Sequence, residues 1–170
     1  MNTDELTSIL IQDEATALLN PAVKPIDHFD SDSIRKPSMT IINLDPCWEA
    51  GSHWVAVYIP LHGKAEYFDS YGFKPNDYIV KTLKHLDQDI IYSSYLLQGF
   101  STVCGQYCLI FLLLRARNYT FNEIMSSMFL CESVSERDTI INMVINNKFS
   151  NQLKASLKVL DTTFLQNYQN

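Results

Sequence analysis

A histidine, an aspartate, a glutamine and a cysteine stand at or near the ends of predicted elements in this chain, and together they could cleave an acyl bond. His53 opens GSHWVAVYIP (51–60), Asp69 closes KAEYFD (64–69), and Cys104 begins CGQYCLIFLLLRARN (104–118) just after the loop QGFSTV. A cysteine at a helix N-terminus meets unpaired backbone N–H groups and the positive end of the helix dipole, which favours thiolate. A carboxylate on one imidazole nitrogen would orient His53 and stabilise its charged form, leaving the other nitrogen to hold Cys104 as thiolate. Gln98, six residues before Cys104, can offer a side-chain N–H beside the Cys104 backbone N–H, the donor pair that a tetrahedral oxyanion requires. Singly, each residue reads as structural, since a lone histidine is usually packed or solvated.

These residues need a scaffold. TDELTSILIQDEATALLNP has acidic residues in its first turn and apolar Leu6, Ile9 and Leu10 at helical spacing, which predicts one helix stopped at Asn20-Pro21. From Pro21 to Pro37 the prolines oppose regular structure, and an irregular loop is expected. MTIINL (39–44), HWVAVYIP (53–60) and KAEYFD (64–69) are β patterns, the last two joined as a hairpin at LHG. In the middle strand Trp54, Ala56 and Tyr58 share one face and Val55, Val57 and Ile59 the other, so both faces should be covered. The hairpin turn would bring His53 beside Asp69.

DYIVKTLKHL has helical spacing, and IIYSSYLL (90–97) reads as another strand. The 104–118 segment is apolar nearly all round, as a helix in the centre of a domain must be. Thr120 with Glu123 and Ser133 with Glu136 are capping patterns that announce two further helices.

The bulk composition narrows the function. With 170 residues and 46% hydrophobic content, one globular domain over 1–170 is expected. Lys+Arg 13 against Asp+Glu 19 gives a net charge of -6, which disfavours nucleic-acid binding. The longest apolar run, CLIFLLL (108–114), is far short of the roughly 20 residues that cross a bilayer. The opening MNTDELTSIL lacks a basic-then-apolar signal, so a reducing compartment and free thiols at Cys47, Cys104, Cys108 and Cys131 are expected. No second Cys or His pair of zinc-site form accompanies Cys104 and Cys108, so no metal is assigned. Cys108 is expected to be a small buried hydrophobe, and His28, His62 and His85 to face solvent.

The order GSHW, YFDSYG, LLQGFSTVCGQYC resembles the adenovirus-type cysteine endopeptidases, relatives of the SUMO and ubiquitin-like proteases. The resemblance covers roughly residues 39–118 and looks closest to the viral branch, which includes virophages and self-synthesising transposons. It implies an α+β papain-like thiol protease whose central mixed sheet packs on a buried helix. By it, His53 is the base, Asp69 its orienting partner, Gln98 the oxyanion donor and Cys104 the nucleophile, while Trp54 lines a narrow channel that admits glycine near the scissile bond. It further implies capsid-precursor substrates cleaved near glycine, and a place inside the infected cell and in the virion. The enzyme should be a monomer with no cofactor. In the adenovirus enzyme an outlying cysteine binds an activating peptide and DNA stimulates activity. No position equivalent to that cysteine is identifiable here at Cys47 or Cys131, and no Lys/Arg cluster suits DNA. Removal of a ubiquitin-like modifier from host proteins, and a catalytically silent binding module, are the competing readings.

Overall fold

The computed structural model describes residues 1–129 and 133–148. Helix α1, Thr3–Gln12, begins in a capping box in which Asn2 and Glu5 each accept the other's backbone N–H. It stops at Asp13, earlier than the periodicity predicts. The Asp13 carboxylate accepts the Thr16 N–H to cap a separate short helix, α2 (Glu14–Ala17), and it pairs with Arg117 at 2.6 Å. Where local spacing reads one helix, Asp13 thus starts a second one and holds a half-buried ion pair made across more than a hundred residues of chain.

The sheet has five strands in the order β1-β2-β3-β4-β5. Strands β2 (Ser38–Asn43), β3 (Trp54–Ile59) and β4 (Ala65–Phe68) are the expected ones and run antiparallel to one another in turn. Strand β1, Pro21–Pro25, lies where an irregular loop was expected, parallel to β2 with Pro21 opposite Met39 and Pro25 opposite Asn43. Proline cannot donate to a ladder, but an edge strand needs donors on one side only, so PAVKP is tolerated at this position. Short 3₁₀ turns at Ile26–His28 and Ser31–Ser33 complete the segment.

The opposite edge, β5, is Ile90–Tyr92, parallel to β4 and shorter than the expected 90–97. Beyond it the chain gives up sheet pairing: the Leu97 and Gln98 N–H groups both donate to the Ser70 carbonyl, at 2.8 and 2.9 Å. Gly72 sits beneath this crossing with φ +73, and a Cβ there would stand 2.7 Å from the Tyr95 carbonyl oxygen. Only glycine meets both demands.

Helices cover both faces of the sheet. On one, α4 (Cys104–Arg115) is buried over nearly its whole length and packs with Met39, Ile41, Ala56 and Phe68, beside α1, α5 (Phe121–Met128) and α6 (Val134–Lys148). On the other, α3 (Asp77–His85) sets Ile79 and Leu83 against Val55, Val57, Ile59 and Tyr67. Strand β3 therefore has both faces covered, as its composition required, and the whole is an α+β arrangement around a mixed sheet. The Thr120–Glu123 capping box forms, and Ser133 caps α6 by accepting the Glu136 N–H. Among the described residues no helix is long and apolar enough to cross a membrane.

Candidate active site

The sheet brings His53 and Asp69 together as the hairpin predicts. His53 immediately precedes β3 and Asp69 immediately follows β4, with His53 Nε2 2.9 Å from Asp69 Oδ1. The same Oδ1 accepts the Tyr71 backbone N–H at 2.8 Å, and the Tyr67 hydroxyl reaches Oδ2 at 3.4 Å. Asp69 is buried, so its carboxylate is held by donors from three residues.

Cys104 is the first residue of α4. Val103 before it has no side-chain oxygen to cap the helix, so no side chain of that residue competes with the thiol for the first-turn N–H groups. Burial opposes charge on both partners, yet the coupling wins. His53 is raised to about 9 against the burial of its ring, through its hydrogen bond to Asp69, the adjacent Cys104 and the charges of both, while its Nδ1 is buried and makes no hydrogen bond among the described residues. Cys104 is lowered from the ordinary thiol value against its own burial, chiefly by the adjacent His53 imidazole. The ion-paired state, thiolate and imidazolium, is thereby favoured.

The remaining thiols behave differently. Burial, together with the nearby Cys104 and Asp69 charges, raises Cys108 well above the ordinary value, and its Sγ–H donates to the Trp54 carbonyl at 3.3 Å. Cys108 is therefore more than filler, since it ties α4 to the start of β3. Cys47 is exposed, and its thiol is raised by a hydrogen bond to Asp27. Cys131 lies outside the described residues. His28, His62 and His85 are all exposed.

Trp54 sits half-buried beside the nucleophile candidate: a Cβ on Gly105 would stand 3.4 Å from the indole Cδ1, so the bare helix turn lets the ring lie close. Gln98 is 1% exposed and is held at every polar atom. Its Oε1 accepts from the Ser70 hydroxyl at 2.7 Å, and its Nε2 donates to the Ser101 carbonyl at 2.6 Å with the Tyr71 hydroxyl 3.4 Å away. One amide proton is thus committed to Ser101, and the other has only this long contact.

Two residues here were not singled out from sequence, although both lie in the quoted stretch YFDSYG. Ser70 fixes Gln98. Tyr71 lies over His53 with ring centroids 4.8 Å apart and planes 32° apart, and its phenol is raised by burial and by the neighbouring Cys104 charge, so it stays a neutral hydroxyl. Behind the 96–103 loop a cleft of about 760 Å³ opens against α6, lined by Leu96, Phe100, Val103, Val134 and Met143. Away from this site, Asp27, His28 and Cys47 are the one group of potential metal ligands among the described residues, with donor atoms within 4.8 Å of one another. Asp27 Oδ1 already accepts the Cys47 N–H at 2.9 Å.

No family model matches the chain. An Acanthamoeba polyphaga mimivirus protein named as a thiol protease is 33% identical over 109 residues, 56% of this chain and 35% of that protein. The African swine fever virus SUMO-1 cysteine protease is 22% identical over 125 residues, 64% of this chain and 46% of the relative. The chain thus spans between about a third and a half of the curated relatives it matches. The crystal structure of the African swine fever virus protease superimposes with a TM-score of 0.60 at 15% identity, over 82% of this chain and 65% of that one. The fold is therefore that of a viral cysteine protease, and the sequence is similar to viral thiol proteases over 56–64% of the chain.

Proposed function

We propose that this chain is a virus-coded cysteine endopeptidase acting on polypeptide substrates. The observation that carries the reading is the coupled arrangement of Cys104 and His53 at a helix start, with Asp69 2.9 Å from the ring. In it, the Cys104 thiolate attacks the scissile carbonyl and the oxyanion is met by the Cys104 backbone N–H and the second Gln98 amide proton. The His53 imidazolium then gives its proton to the leaving amine, and as neutral imidazole it activates water to release the acyl-enzyme. Such a cycle needs no metal or organic cofactor.

The preferred substrates are capsid precursors cut near glycine. Trp54 beside Gly105 restricts the approach to Cys104, and a bulky side chain next to the scissile bond would displace the carbonyl from its donors. The apolar cleft beside Val103 offers further surface for an extended polypeptide. The enzyme works as a monomer inside the infected cell. A second reading, release of a ubiquitin-like modifier, is favoured by the name of the African swine fever virus relative. Profiling with a mixed peptide pool, run beside ubiquitin and SUMO conjugates, tests both. A glycine requirement with precursor peptides cleaved fastest supports the first reading, and faster modifier release supports the second. No cleavage of any substrate, with Cys104 reacting no faster than an ordinary thiol, would sink the enzyme reading itself.

A further inference from the structure

Gln98 sits in a loop that has no regular structure of its own, so something outside the loop must set its position. One side is the Ser70 turn already described. The other side is α6. Asp138, 8% exposed on that helix, accepts the Gly99 backbone N–H at 3.1 Å and the Ser101 hydroxyl at 2.6 Å on Oδ2. Its Oδ1 accepts from the Tyr107 hydroxyl of α4 at 2.9 Å, a hydroxyl that also lies 3.1 Å from the Leu97 carbonyl. The adjacent Arg137 donates to that same carbonyl at 2.7 Å. Three points on residues 97–101 are thus gripped from α6, and they bracket Gln98 on both sides.

Ser101 links the two ends of this arrangement. Its hydroxyl is held by Asp138 while its carbonyl holds Gln98 Nε2. Moving the Asp138 carboxylate therefore moves the atom that aims the Gln98 amide. The loop ends at Val103, so the same grip bears on where the Cys104 N–H points.

We infer that Asp138 is a positioning residue: it acts through Gly99 and Ser101 to fix both donors of the oxyanion site, and it touches neither nucleophile nor base. This rests on the peptidase reading above. The function is one of hydrogen-bond geometry and not of charge, because an asparagine can reproduce it. Its Oδ1 would keep Gly99 and Ser101, and its Nδ2 would donate to a Tyr107 hydroxyl turned to give its own proton to Leu97.

The test compares Asp138→Ala and Asp138→Asn with wild type in peptide hydrolysis, Cys104 alkylation and amide exchange. Asp138→Ala should lower kcat by about 10- to 100-fold, the scale of a displaced oxyanion donor, with KM little changed. Asp138→Asn should return kcat to within a few-fold of wild type. Both should leave the pH dependence of Cys104 alkylation by iodoacetamide unchanged, because that reaction uses the thiolate and His53 alone. Should Asp138→Ala not fold, Ser101→Ala must show the same pattern more weakly. Equal losses from the alanine and asparagine variants, or alkylation falling in step with hydrolysis, would overturn the inference. If wild type cleaves nothing, the peptidase reading has failed; the positioning claim is then decided by amide exchange at Gly99 and Ser101, which must accelerate in Asp138→Ala and stay slow in Asp138→Asn.

Discussion

His53 Nε2 stands 2.9 Å from Asp69 Oδ1, across the open end of the β3–β4 hairpin and in a pocket where the aspartate side chain is wholly buried. A buried carboxylate in this place holds the His53 ring by Nε2 and leaves Nδ1 buried and without a hydrogen bond among the described residues. Asp69→Asn should lower kcat/KM by about two orders of magnitude or more but leave residual hydrolysis, since nucleophile and base both remain. His53→Ala should be lower still. Steady-state kinetics on the folded variants decide the order, and equal rates for the two would remove Asp69 from the mechanism.

Cys104 should alkylate with iodoacetamide much faster than Cys47 or Cys108 at mildly acidic pH. Exposure alone predicts the reverse, because Cys47 is open to solvent while Cys104 is buried. The pKa directions oppose exposure: His53 lowers Cys104, whereas Asp27 raises Cys47 and burial raises Cys108. Mass spectrometry of partially labelled protein reads the ranking.

Cys104→Ala should abolish hydrolysis in a folded protein, while Cys108→Ala should retain most of it. The second change leaves the Trp54 carbonyl without its thiol donor and opens a small gap under α4, so a stability loss of about 1–2 kcal/mol is expected by urea unfolding. Comparable kinetic losses in both variants would point away from Cys104 as the nucleophile.

The pH dependence follows from the same pair. Hydrolysis should rise as Cys104 ionises, below the ordinary thiol range, and decline as His53 loses its proton at about 9. The stability contribution of His53 has the sign of a raised pKa. It is fully present below the ordinary imidazole value of 6.5 and is lost as pH rises through about 9. Asp69→Asn should shift the descending limb to lower pH, and the stability gap between the two proteins should narrow toward pH 9. A limb unmoved by that substitution would mean that another group controls it.

Duplex DNA should stimulate hydrolysis little. The net charge is -6 and the 13 basic residues do not cluster in sequence, so phosphate contacts would be few and easily screened. A large gain in kcat/KM that disappears on adding salt would contradict this.

The parts of the molecule that sequence alone determined are those in which one local pattern suffices. The 104–118 segment is apolar on nearly every side up to Arg115, and α4 is buried from Cys104 to Leu114. The alternation of Trp54 to Ile59 required two covered faces, and the sheet supplies α4 on one and α3 on the other. Thr120 with Glu123 writes a helix start within four residues. His53, Asp69 and Cys104 were legible because each marks the end of such an element, and a tight hairpin leaves little choice about which strand ends meet.

Tertiary structure decided what depends on partners far along the chain. Pro21–Pro25 pairs as a strand with the outer edge of β2, and at Asp13, where α1 ends, the carboxylate caps α2 and meets Arg117 from 104 residues further on. The Gln98 amide is aimed by Ser70, 28 residues earlier, and by Ser101, itself held by Asp138 37 residues further on. Periodicity records which face of an element is apolar. It carries no record of which distant carbonyl or carboxylate a polar group in an irregular loop will find, because that choice is made only once sheet and helices have packed and the group must be satisfied where they leave it.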